Sequence, residues 1–159
     1  MQNAKNGYIL AGTEAFTRGE LDNVALAENA VCLEQTAGRY VLYGCYTSPV
    51  IAFPPFTELA MSWNAETPQG TVVEAQARVL VDGAWSGWMS FGKWSPYLSR
   101  ASAYQPPAAP AYLQGDTVHI PQGRAIQAQL RIYLYTDDER QSPSVRLLAA
   151  SVRPAEWTQ

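Results

Sequence analysis

Residues 125–135 read Ala-Ile-Gln-Ala-Gln-Leu-Arg-Ile-Tyr-Leu-Tyr, and their alternation decides the fold class. Ile126, Ala128, Leu130, Ile132 and Leu134 alternate with Gln127, Gln129, Arg131, Tyr133 and Tyr135. A period of two over that length is the signature of a β-strand with one face in a core and the other turned to water or a ligand. Residues 71–81 repeat the pattern: Val73, Ala75, Ala77, Val79 and Val81 take one side, and Glu74, Gln76 and Arg78 the other. This second strand starts after Pro68-Gln69-Gly70 and ends at Asp82-Gly83. Asp-Gly suits a two-residue hairpin turn because both residues tolerate positive φ. Residues 84–91 are the expected returning strand.

Working outward, shorter strands are read at 31–34, 39–47, 50–53, 57–63, 117–121 and 144–152, each bounded by Gly, Pro, Asn or Ser. Only 13–30 offers a helix, with poor apolar spacing. Residues 104–112, with three prolines, read as an extended loop. Seven to nine antiparallel strands at this spacing predict an all-β, two-sheet antiparallel β-sandwich of jelly-roll or lectin/galactose-binding-like form. A chain of 159 residues suits one such domain.

Charged residues make up 16% of the chain, against roughly 25% in average soluble domains, so Gln, Ser, Thr and Tyr must cover the polar faces. A net charge of −3 without a Lys/Arg run argues against nucleic acid and anionic membrane surfaces as partners. No apolar stretch reaches the roughly 20 residues that span a bilayer. The first ten residues lack the apolar region of a signal peptide, which leaves either a cytoplasmic protein or an excised segment whose leader lies upstream as the expectation. The end after Trp157, just past a strand, suggests a segment of a longer chain.

Catalytic chemistry finds few residues. The one histidine, His119, alternates with Val118 and Ile120 and is expected to face away from the core. Cys32 and Cys45 are read as buried free thiols, with a cross-strand disulfide as the alternative. No ligand cluster for a metal and no cofactor motif is read. Asp137-Asp138-Glu139 is expected to be a solvated hairpin tip; Glu58, Glu74 and Asp116 are the acids a glycan-active enzyme would have to use, and their spacing singles out none of them.

Aromatic residues stand out instead. Trp63, Trp85, Trp88 and Trp94 fall close together with Phe91 and Tyr97. Trp85 and Trp88, three apart, would face opposite ways in a regular strand, and a bulge at Gly87 would bring them to one face. The indoles are either a stacking platform oriented by Gln76 and Arg78, or core and corner residues. Tyr133 and Tyr135 form a second outward pair. The candidate binding residues are therefore Trp63, Arg78, Trp85, Trp88, Tyr133 and Tyr135.

The segments Phe56-Thr-Glu-Leu-Ala-Met-Ser-Trp-Asn-Ala65, Thr67-Pro-Gln-Gly-Thr71, Arg78 and Asp82-Gly-Ala-Trp-Ser-Gly-Trp88 carry a resemblance that extends through Gly92-Lys-Trp94 to Ser142-Pro143. Over residues 44–153 the chain resembles the non-catalytic β-rich region found upstream of the peptidase domain in bacterial secreted cysteine peptidases of the double-glycine (bacteriocin-processing) peptidase-like group. Residues 1–43 match no pattern. The peptidase's own Gln, Cys, His and Asp or Asn set has no counterpart here. The resemblance implies an accessory or recognition module of a secreted or cell-wall-associated hydrolase. Its partners would be the adjacent catalytic domain and an envelope glycan or peptide; a purely structural interdomain module is the alternative.

Overall fold

The computed structural model describes residues 2–4, 6–96 and 110–157; the expectations for Tyr97 and for most of the 104–112 loop lie outside these residues. In chain order the elements are β1 (Gln2–Ala4), β2 (Gly7–Ala11), a single helical turn α1 (Thr13–Phe16), β3 (Glu20–Asp22), β4 (Val24–Ala27), β5 (Ala30–Leu33), β6 (Gln35–Thr36), β7 (Arg39–Tyr40) and β8 (Tyr43–Thr47). There follow β9 (Ile51–Glu66), β10 (Thr71–Val81), β11 (Ala84–Trp85), β12 (Met89–Trp94), β13 (Tyr112–Gln114), β14 (Thr117–His119), β15 (Ala125–Thr136), β16 (Ser144–Pro154) and a 3₁₀ turn (Ala155–Trp157).

The all-β antiparallel sandwich stands, but the strand count is corrected: sixteen strands among the described residues, not seven to nine. Several expected strands are cut by turns. Residues 39–47 split into β7 and β8, and 84–91 into β11 and the start of β12. The 13–30 region holds one helical turn followed by β3 and β4, so its weak helical periodicity reflected short strands.

One layer runs β2–β16–β9–β14–β13 and the other β3–β8–β15–β10–β12, every pairing being antiparallel. The layers join through β9, which the sequence suggested as two strands. Ile51 to Phe56 pair with β15; beyond Pro54-Pro55, Glu58 to Ala60 pair with β14 on one side, and Phe56 to Glu66 run beside β16 on the other. The two prolines lack N–H donors and so fall where the neighbour changes, a corner between sheets. Phe53 and Phe56 flank the corner edge to face, with ring centroids 5.5 Å apart.

Val73, Ala75, Ala77, Val79, Leu130, Ile132 and Leu134 meet Leu59, Val118 and Leu148 in one core, all fully buried. Each large aliphatic side chain so enclosed contributes on the order of 1.5–3 kcal/mol. Leu10, Phe16, Val31 and Leu33 belong to the same core, so the N-terminal segment is part of the packed unit. One expectation fails in detail. Ile126 is exposed and Ala125 buried, because β10 pairs Leu80 with Gln127 and Val81 with Ala125, leaving Ile126 as the extra residue of a bulge.

Three serines repeat one device where the chain leaves a ladder. Ser48 Oγ accepts the Leu130 N–H, Ser86 Oγ the Val79 N–H and Ser142 Oγ the Leu33 N–H, at 3.0, 3.1 and 2.9 Å. Each hydroxyl then donates to the carbonyl of the residue that follows it. A side chain thus replaces the missing strand partner of each of these three backbone donors.

Candidate functional site: an aromatic–cation ladder

The outward positions of β10 and β15 lie side by side: Glu74 opposite Tyr133, Gln76 opposite Arg131, and Arg78 opposite Gln129. Next to them runs the chain from Trp85 to Lys93, and its path explains the tryptophans. Leu80 pairs with Trp85 and Ala77 with Met89, four residues of chain against three, so one extra residue lies between the indoles. The sequence-based bulge near Gly87 accounts for this, and Trp85 and Trp88 both meet Arg78 on the outer face. A second bulge follows, with Gly92 at φ 92°, so that Lys93 comes opposite Glu74 while Phe91 and Trp94 turn inward.

These side chains form an alternating stack. The Arg78 guanidinium lies 4.4 Å from the Trp85 ring centre and 4.9 Å from that of Trp88. Arg131 lies 4.0 Å from Trp88 and 5.1 Å from Tyr133. Tyr133 stacks on Tyr135 at 6.0 Å and 15°, and Lys93 closes the row 5.4 Å from Tyr135. Cation–π contacts of this kind contribute about 0.5–1 kcal/mol each when exposed and about 2 when desolvated.

Hydrogen bonds fix the two arginines in place. Arg78 donates through Nε and Nη2 to Gln129 Oε1 at 3.1 and 2.7 Å, and Gln129 Nε2 donates to the Ser48 carbonyl at 2.9 Å. Arg131 Nε donates to Gln76 Oε1 at 2.7 Å. Glu74 gathers the other end, accepting from Gln76 Nε2 and Ser90 Oγ, both at 2.8 Å, and from the Tyr135 hydroxyl at 3.4 Å. Burial, and after it the Glu74 charge, pushes the Tyr135 phenol up to about 12. Burial likewise raises Tyr133. Arg78, Arg131 and Lys93 against Glu74 leave the face with two net positive charges, on a chain whose net charge is −3.

Five of the six residues picked out in the sequence, Arg78, Trp85, Trp88, Tyr133 and Tyr135, are therefore together. Trp63 is not with them. It pairs with Leu148 at the core side of β9 and meets Phe91 at 6.1 Å, lining a separate cleft with Trp94. Sequence reasoning noted Arg131 beside the tyrosines but missed it as the link between the two aromatic pairs, and it missed Lys93. Their outward parity was readable; the register between β10 and β15 was not.

Cys45, opposite Tyr133 on β8, is buried, Cys32 is half-buried, and both are free thiols. Burial pushes both thiols up, opposite to the lowering that arms a cysteine nucleophile. His119 stacks on Tyr112 at 5.2 Å on the outer face of the other layer, in one row with Glu58 and its ion-pair partner Arg153. Glu58 and Glu74 thus belong to the outer faces of different layers, with the core between them.

The ladder face brings together Trp, Tyr and Arg, the residue types enriched at interface cores. A profile of the family described as the Peptidase C39 N-terminal domain matches residues 8–152, and the chain belongs to that family. The match starts at residue 8, well upstream of the residue 44 at which the motif resemblance begins, and it is to the N-terminal domain of these peptidases. No curated protein is significantly similar to the chain. Among solved structures, one from work on the promiscuous specificity of carbohydrate-binding modules of the β-sandwich superfamily aligns over 95% of this chain and 57% of its own length, with 10% identity and a TM-score of 0.34.

Proposed function

We propose that the domain is a non-catalytic accessory module of a secreted or cell-surface peptidase of the C39 type, and that its ladder face holds the peptidase domain of the same polypeptide. The observation that carries this reading is the alternation Trp85–Arg78–Trp88–Arg131–Tyr133–Tyr135–Lys93 on one outer face. Trp, Tyr and Arg are the residues enriched at interface hot spots. Here the arginines are held by hydrogen bonds and the indoles by the arginines before any partner arrives, so docking orders few side chains and loses little entropy. The net positive charge of the face suits an acidic partner surface and makes association salt-dependent.

The test is tryptophan quenching by acrylamide, with and without the peptidase domain supplied in trans. Trp85 and Trp88 are expected to become shielded on addition, and Arg131→Ala to abolish the shielding. Unchanged quenching at saturating peptidase domain counts against it.

An envelope glycan or peptide as an additional ligand is the second reading. It is favoured by the half-buried Trp63, which lies apart from the ladder beside an open cleft of ≈ 420 Å³.

A further inference from the structure

Past Ala60, β9 loses its neighbour on one side. β14 pairs with Glu58 to Ala60 and goes no further, while β16 accompanies β9 to Glu66. Among the described residues, Met61 to Glu66 therefore have a strand partner on one side only. Alternate backbone N–H and C=O groups of that stretch point away from β16. Proteins ordinarily blunt such an edge with proline, lysine or a bulge. Met-Ser-Trp-Asn-Ala-Glu contains neither residue and carries a charge only at its last position, Glu66, and the local bulge belongs to β16, at Arg146. The free stretch is about as long as an average strand.

The cleft opens beside this edge. Trp63, Phe91 and Trp94 line it, with Asp116 contributed by the turn between β13 and β14. Phe91 and Trp94 use the inner side of β12, whose outer side carries Ser90 and Lys93 of the ladder, so the two sites are separate. Among the described residues, the Trp63 and Trp94 indole N–H groups and the Asp116 carboxylate have no side-chain hydrogen bond or ion pair. In the ladder every cation is engaged.

We propose that the Met61–Glu66 edge binds an extended peptide as an added strand, with one large apolar side chain seated among Trp63, Phe91 and Trp94 and a neighbouring basic side chain on Asp116. A peptide presents N–H and C=O groups at strand spacing, which a saccharide does not, and sends every second side chain to the same face. Asp116, the one carboxylate among the described residues that line the cleft, selects a cationic neighbour. The inference deepens the second reading above and does not depend on the ladder's partner.

The probe is a synthetic peptide of about nine residues, alternating Thr and Val, with a central Phe and a Lys two residues to either side of it, so that Phe and Lys share one face. A copy N-methylated at alternate amides and a chitotetraose sample are its comparisons, and the readout on this chain is amide hydrogen exchange. The peptide is expected to slow exchange within 61–66 by about tenfold or more, as an added ladder protects edge amides. The methylated copy leaves exchange unchanged. Asp116→Asn, an exposed substitution with no packing cost, weakens this peptide but not a copy with Gln in place of Lys, and Trp88→Ala leaves binding intact. Lack of protection, equal protection by the methylated copy, or a response to chitotetraose alone overturns the proposal. So does protection of the edge in the absence of peptide, together with a dimer in sedimentation, which assigns the edge to a second copy. Because Trp88→Ala probes only the ladder, failure here and failure of the docking role are distinguishable.

Discussion

The Arg131 guanidinium lies 4.0 Å from the centre of the Trp88 ring, joining a residue of the long β15 strand to one in the bulged connection between β11 and β12. This contact makes one row of two aromatic pairs, Trp85 with Trp88 and Tyr133 with Tyr135. A double-mutant cycle with Arg131→Ala and Trp88→Ala is expected to show a coupling of about 0.5–2 kcal/mol in denaturant unfolding. Additive losses would mean that the contact does not contribute to stability.

Ser86 is buried, and its hydroxyl holds the Val79 N–H where the ladder with β11 ends. Ser86→Ala leaves that buried donor without a partner and is expected to cost about 1–3 kcal/mol. Ser48→Ala should fall in the same range for the same reason, since Ser48 Oγ holds the Leu130 N–H. A midpoint shift at unchanged denaturant slope checks both.

A methyl group at Gly19 would run into the Tyr46 hydroxyl and the Thr47 carbonyl. The hydroxyl cannot swing away cheaply, because it donates to the Phe16 carbonyl at 2.8 Å and the Tyr46 ring is fully buried. Gly19→Ala is therefore expected to destabilise by about 1–3 kcal/mol through overpacking, measured by thermal unfolding.

The Tyr135 phenol keeps its proton to about 12 in the folded chain, against 10.0 for a free tyrosine, through burial first and the Glu74 charge second. A raised folded-state value stabilises fully below pH 10, and that contribution is lost as pH rises from 10 to about 12, where only the unfolded chain ionises. Stability should thus fall across that window. Tyr135→Phe should reduce the slope there while leaving the pH dependence below 10 unchanged.

The alternation in β10 and β15 made the layer architecture legible, because a period of two is local. The Asp82-Gly83 turn likewise announced its hairpin, and Asp82 and Gly83 do take positive φ, 51° and 78°. Register was a different matter. Arg131 reaches Trp88 only because Gln76 pairs with Arg131 and because one extra residue lies between Trp85 and Met89. Both depend on packing across the chain. The same limit hid the joining of 50–53 and 57–63 into β9, since Pro54-Pro55 reads as a break unless the partner strands are known to change there. Ile126 misled for the same reason: a bulge reverses parity without altering composition.

The docking role is tested most directly by calorimetric titration of the peptidase domain into this domain, wild type and Trp88→Ala, at low and high salt. The account expects measurable binding that weakens as salt rises, and a loss of about 2 kcal/mol or more on Trp88→Ala, the cost of a hot-spot aromatic. Equal affinity for both forms, with the variant still folded, would contradict the claim that the ladder is the surface the peptidase domain holds.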